Sequence, residues 1–143
     1  MPESERNLKK AERRQTRQIK IGPIPIGGGA PIAVQSMTNT DTRDVKATVE
    51  QVERLHGAGC EIVRLAVPDT QAAECFGVIK ARVHPPLVAD IHFDHRLALA
   101  AIRSGADGLR INPGNIGGRS EVERVIEEAR TSDIIIYAVG LGG

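Results

Sequence analysis

Five short apolar runs recur along the chain at a nearly even interval, and this period limits the possible folds more than any other feature. With Val34, Val63, Val88, Leu109 and Ile135 as centres, the runs lie 29, 25, 21 and 26 residues apart. The expected strands are Ile32 to Ser36, Ile62 to Val67, Leu87 to Ile91, the run about Leu109 to Ile111, and Ile134 to Val139. Helical spacing fills the gaps between them. Val45, Val49, Val52 and Leu55 share one face of a helix closed by Gly57 and Gly59. A second helix, from about Gln71 to Val83, turns Ala72, Phe76, Ile79 and Val83 inward and gives out at Pro85-Pro86, because proline cannot continue a helix. A third runs from about Asp94 to Ser104, burying Leu97, Ala101 and Ile102. A fourth carries the stripe Val122, Val125, Ile126 and Ala129, with Ser120 as N-cap and Glu123 three residues on as a capping box.

Strands alternating with helices make parallel sheets. A (β/α)8 barrel averages roughly 30 residues per unit over about 250. The period fits that fold and the length of 143 residues does not. The expected fold is therefore an α/β protein, an incomplete (β/α)8 TIM barrel of about five βα units. The alternative is an open flavodoxin-type sheet, against which stands the lack of a G-x-G-x-x-G turn after the first strand. Ahead of the barrel, Ile19 to Ile32 alternates around Gly22-Pro23 and Gly27-Gly28-Gly29 and reads as a short β-hairpin. The triple glycine lacks the phosphate-loop pattern and precedes a strand, so it reads as a turn. Residues 1–17 are rich in both charges with almost no apolar period and read as a flexible charged arm; residues 18–143 form the barrel portion.

A net charge of +1 gives no general pull toward nucleic acid or membrane, and 2% aromatic residues disfavour a base-stacking platform. The two cysteines, Cys60 and Cys75, form no C-x-x-C pair and suit a reducing compartment. With no long apolar span and no signal peptide, the expected location is cytoplasmic.

The chemistry gathers at the strand ends. Side chains alternate along a strand, so Arg110 and Asn112 point one way while Leu109 and Ile111 point the other. A guanidinium and an amide together suit a phosphate. Gly59-Cys60-Glu61-Ile62-Val63-Arg64 repeats the layout 46 residues earlier, with one strand between. Alternate barrel strands feed the same interior layer, so Arg64 and Arg110 are expected to converge. The other strand ends add Gln35, Ser36, Asn39, Asp90 and His92, making a rim suited to a phosphorylated small molecule, with Asp90 orienting His92 or Arg64. A metal held by Asp90, His92 and His95 lacks a well-spaced third ligand, and no nucleophile stands beside an evident base, so neither a metal nor a catalytic residue is assigned.

Several long motifs carry a resemblance. Arg13-Arg14-Gln15-Thr16, Val34-Gln35-Ser36-Met37-Thr38-Asn39-Thr40-Asp41-Thr42, Val88-Ala89-Asp90-Ile91-His92-Phe93-Asp94 and Leu109-Arg110-Ile111-Asn112-Pro113-Gly114-Asn115 resemble the N-terminal half of 4-hydroxy-3-methylbut-2-enyl diphosphate synthase, an enzyme of the non-mevalonate isoprenoid pathway. The resemblance implies a barrel of dihydropteroate-synthase-like type, followed by a domain carrying a four-iron four-sulfur (4Fe-4S) cluster. It implies reductive opening of 2-C-methyl-erythritol 2,4-cyclodiphosphate with electrons from flavodoxin or ferredoxin, in a homodimer whose partner covers the barrel mouth. It places Arg64 and Arg110 on the diphosphate, Asn112 and His92 on the substrate, and Asp90 with the Gln35 to Asn39 loop around them. The cluster ligands of that family have no counterpart here, since neither Cys60 nor Cys75 lies in its cluster motif, and Tyr137 and Leu141 stand where the family brings another arginine and asparagine. The chain is thus expected to bind the diphosphate but to lack the iron–sulfur domain and to be inactive alone. The alternative is a truncated or frameshifted product with no activity.

Overall fold

A computed structural model describes residues 12–138 of the chain. Most of the charged arm, and Val139 to Gly143 including Leu141, lie outside them. Two sheets are present. Strands β1 (Ile19–Ile21) and β2 (Ile24–Ile26) pair antiparallel as the hairpin. Strands β3 (Gln35–Met37), β4 (Ile62–Ala66), β5 (Leu87–Ile91), β6 (Gly108–Ile111) and β7 (Ile135–Ala138) then form one parallel sheet in plain sequence order. Helices α1 (Val45–Gly57), α2 (Thr70–Lys80), α3 (His95–Arg103) and α4 (Arg119–Thr131) connect them. A flavodoxin-type sheet reverses its strand order at a switch point. This sheet never reverses, so it winds one way as a barrel does, and five strands leave the barrel incomplete.

The two faces differ in chemistry. Val63, Leu65, Leu87, Ala89, Ile91, Leu109 and Ile111 pack with Phe76, Ile79, Ala98, Ala101, Val125 and Ala129 in a core between sheet and helices. On the other face, Ile62 and Val88 join Ile21 of the hairpin, with Ile24, Ile26, Ile135 and Tyr137 against them. The hairpin thus covers the N-terminal end of the inner face and leaves the C-terminal end open. Between these layers, the buried amide of Leu87 donates to Asp107 Oδ2 at 2.8 Å, and Lys80 Nζ sits 2.6 Å from the same oxygen.

The repeated glycine before β4 and β6 has a backbone cause. Gly59 and Gly105 follow α1 and α3 at φ of +103° and +97°, where a side chain is disfavoured. The next amide then reaches back five residues, Cys60 N–H to Leu55 and Ala106 N–H to Ala101, closing a Schellman turn. After α4 the same role falls to Asp133, at φ +54°, with Ile134 N–H bonding to the Ala129 carbonyl. Aspartate tolerates this conformation, which is why no glycine marks that end in the sequence.

Three boundaries differ from the pattern-based expectation. The first barrel strand is Gln35–Met37 rather than Ile32 to Ser36, because Ile32 and Val34 lie exposed on the leading edge. Val34 joins the sheet only through its carbonyl, which accepts from Glu61 and Ile62 N–H. Helix α2 ends at Lys80, short of Val83, which still packs on the core from the turn beyond. Helix α4 is capped by Gly118 and not by Ser120. The expected capping box does not form: Ser120 donates to Glu121, and Glu123 pairs with Arg119 one turn back, an i,i+4 contact on the solvent side. Ile126, expected inward, is exposed.

Phe76 and Val78 share α2 but not its buried face. Phe76→Ala removes a fully buried ring and should cost about 3–5 kcal/mol, whereas Val78→Ala, on the exposed side, should stay within about 0.5 kcal/mol of the parent; urea unfolding of the two variants gives the comparison.

Candidate functional site

The open end of the inner face is built around one carboxylate. Asp90, near the end of β5, has a side chain only 4% exposed, although it faces away from the helices. A buried carboxylate needs partners, and the flanking strands supply them. Arg110 on β6 lies directly opposite in register and donates from Nη1 to Asp90 Oδ1 at 3.2 Å. Arg64 on β4 brings Nε to 3.4 Å from Asp90 Oδ2. His92, just past β5 and half exposed, places Nε2 3.5 Å from Asp90 Oδ1. Two arginines and a histidine therefore meet on the two oxygens of one side chain.

Register explains how residues with different strand neighbours meet. Arg64 pairs with Val88 and, one strand on, Val88 pairs with Gly108, two residues before Arg110. A barrel of shear 8 on eight strands climbs roughly one residue per strand. Two strands away, a two-residue offset brings Arg110 back to the level of Arg64. Asp90 reaches both from the strand between, and the two positive charges are partly neutralised by its negative one.

Arg64 is the less firmly held of the two. Its Nε is buried but has no acceptor in hydrogen-bonding geometry, the Asp90 contact being an ion pair without alignment. Its Nη2 donates to Met37 Sδ at 3.5 Å, across the β3–β4 pair in which Met37 is opposite Arg64. Met37 was not singled out in the sequence; the alternation that selects Gln35 also selects residue 37, and that signal was available.

The remaining candidates divide. Asn112 follows β6 on the Arg110 parity, and its Oδ1 accepts from Gly114 N–H at 3.1 Å, which leaves its amide N–H groups free of that turn. Gln35 faces inward but lies toward the hairpin, opposite Ile62. Ser36 pairs with Val63, whose side chain belongs to the helix-side core, so it points away from Asp90. Asn39 is turned toward α1: Gln51 Oε1 accepts from the Asn39 and Thr40 amides, and Gln51 Nε2 donates to Asn39 Oδ1 at 2.6 Å. A one-residue step on a strand changes face, and β3 ends before Asn39, so membership of one polar loop did not bring these side chains to one place.

The rim loops are pinned from outside. Thr42 Oγ1 donates to the Ala66 carbonyl at 2.6 Å, and Arg43 bridges Asp41 and Asp69, tying the β3–α1 loop to the start of α2. The Arg43 side-chain hydrogen bonds, with a further one from its backbone, hold the Asp41 carboxyl below the ordinary value of 3.8. A cleft of ≈ 510 Å³ opens beside His92, lined by Ala66, Pro68, Thr70, Phe93 and Leu97 among others. Another, of ≈ 580 Å³, lies under the triple glycine at the far end and is lined by no residue of the Asp90 cluster.

An iron–sulfur cluster does not fit this stretch. Cys60 is buried with Sγ on the Ile62 carbonyl, Cys75 lies on α2, and no three His, Cys, Asp or Glu side chains gather to hold a metal ion among the described residues. No redox step is assigned to these residues. Among the described residues, no helix is long and apolar enough to cross a membrane.

Comparison with known proteins shows the family of the chain. Residues 16–141 match the GcpE TIM-barrel domain. The chain is 58% identical over 125 residues to a protein of Nitratidesulfovibrio vulgaris, 61% over 118 to one of Lawsonia intracellularis and 59% over 125 to one of Pseudomonas putida. Each bears the name 4-hydroxy-3-methylbut-2-en-1-yl diphosphate synthase (flavodoxin). The matches cover 87%, 82% and 87% of this chain but 32%, 33% and 34% of those relatives, so the chain spans about a third of their length. The chain belongs to the GcpE TIM-barrel family.

Two measurements probe the cluster and its rim. Asp90→Asn should lower the unfolding free energy by about 1–3 kcal/mol, since two half-buried guanidinium groups lose their charged acceptor, read from urea titrations. Asp41 has its pKa depressed in the folded chain, so its contribution to stability is present above about 3.8 and lost as pH falls through the folded value. Arg43→Ala should let the Asp41 carboxyl titrate upward toward 3.8, followed by NMR of its carboxyl carbon.

Proposed function

We propose that this member of the GcpE TIM-barrel family is the substrate-binding barrel portion of a 4-hydroxy-3-methylbut-2-enyl diphosphate synthase, and that Arg64 and Arg110 hold the diphosphate of 2-C-methyl-erythritol 2,4-cyclodiphosphate. The observation that carries the reading is the pair of guanidinium groups held on opposite oxygens of the buried Asp90, at 3.4 and 3.2 Å. A planar fork matches a phosphate in two directions at once, and a diphosphate offers two such groups side by side.

In this reading Asp90 has two tasks. It fixes the arginines before the ligand arrives, which reduces the ordering cost of binding. It also cancels one of their two positive charges, so that binding is not limited by mutual repulsion in the empty site. His92, with a half-exposed ring, and the Asn112 amide add donors at the rim. The cleft beside His92, walled by Ala66, Leu97 and Phe93, offers room for the carbon skeleton. The electrons, from flavodoxin as in the names of the relatives, and the chemistry they drive belong to parts of the enzyme outside this barrel portion. This chain's residues bind and orient the anion.

Calorimetric titration of the cyclic diphosphate into the chain tests the reading. The parent should bind, and Arg110→Ala, which removes a charge-assisted contact worth about 1.5–3 kcal/mol, should bind roughly 10- to 150-fold more weakly. Equal, weak heats from both proteins would remove the site.

A further inference from the structure

We infer that Met37 is a positioning residue of the anion site, its thioether holding the Arg64 guanidinium in place until a ligand oxygen takes over; this rests on the diphosphate reading above. The two arginines are held in unlike ways. Arg110 has an aligned hydrogen bond to Asp90, at 3.2 Å. Arg64 has none to a carboxylate: its buried Nε meets Asp90 only as an unaligned ion pair, and its Nη2 reaches a sulfur.

A thioether is a weak acceptor. It can set the direction of a guanidinium without competing for it. Strong charged acceptors do compete, because a phosphate oxygen gains little by displacing an equal partner. A ligand oxygen that bonds Nη2 has only this weak contact to displace. The sequence puts the sulfur where it is needed: Met37 is the last residue of β3, directly opposite Arg64 in register, and 38% exposed at the edge of the sheet. Its unbranched chain lets the sulfur settle against the guanidinium without fixing the backbone. The neighbouring polar side chains do not supply an alternative. Ser36 faces the helices, and Asn39 is bonded to Gln51.

The test uses inorganic pyrophosphate as the probe, titrated into the parent chain, Met37→Leu and Met37→Gln, with thermal unfolding of each as a control. Leucine keeps the bulk and removes the acceptor; glutamine keeps the length and supplies a full-strength one. Met37→Leu, which removes the acceptor that orients Arg64, should bind about threefold more weakly than the parent. Met37→Gln, which offers Arg64 an amide oxygen that the ligand must displace, should bind about tenfold more weakly, with unfolding temperatures alike in all three. A leucine variant or a glutamine variant that binds like the parent overturns the inference while leaving the diphosphate site standing. A parent chain that gives no pyrophosphate binding overturns both.

Discussion

A parallel strand covered by helices on one side has to sort its side chains by parity, and every functional feature of this chain follows from that sorting. On β4, β5 and β6 one parity is aliphatic and completes the core with Phe76, Ile79 and Ala101. The other parity is then released from core duty. At the N-terminal end it meets the hairpin and stays apolar, as Ile62 and Val88 do against Ile21. At the C-terminal end nothing among the described residues covers it, and it becomes Arg64, Asp90 and Arg110. The same two-residue repeat thus specifies both the layer that stabilises the sheet and the layer that can meet a ligand.

Asp90 is where those demands conflict. A carboxylate so little exposed would be expensive alone, and the arginines on either side are what make it tolerable. The arrangement is mutual, since a lone carboxylate also keeps two guanidinium groups from repelling one another across a narrow strip of sheet. Lys80 and Asp107 play a comparable part between the helix layer and the β5 amide, where the carboxylate also accepts from Leu87 N–H. The Asp90 cluster differs from that pair in holding an unsatisfied donor, the Arg64 Nε.

The helix ends show how the architecture is repeated with local variation. Gly59 and Gly105 close α1 and α3 in the same way, while Asp133 adopts the same left-handed backbone after α4. The pattern is therefore a property of the αβ turn and not of glycine as such. Asp44, Asp69 and Asp94 accept amide hydrogen bonds at the starts of α1, α2 and α3, whereas α4 begins from Gly118 with no side-chain cap. A capping-box motif beginning at Ser120 was present in the sequence but two residues too late, because Arg119 already lies inside the helix and draws Glu123 to itself.

The order of strands and helices, the parity of Arg64, Asp90 and Arg110, and the period of a one-way barrel were legible in the sequence, because alternation and helical spacing are local properties that survive folding. Edges and caps were less so: Ile32 and Val34 are as apolar as any strand residue, and only the absence of a pairing partner on that side, among the described residues, leaves them exposed. The site divides along the same line. Residue types and facing directions could be read in one dimension, but Ser36 and Asn39 were grouped with the cluster merely because they share its loop. Register between strands decided which donors meet on Asp90, that Met37 lies against Arg64, and that Gln51 claims Asn39. Those are contacts between residues 12 to 27 positions apart, set by the stagger of neighbouring strands and the packing of α1, and no local pattern encodes them.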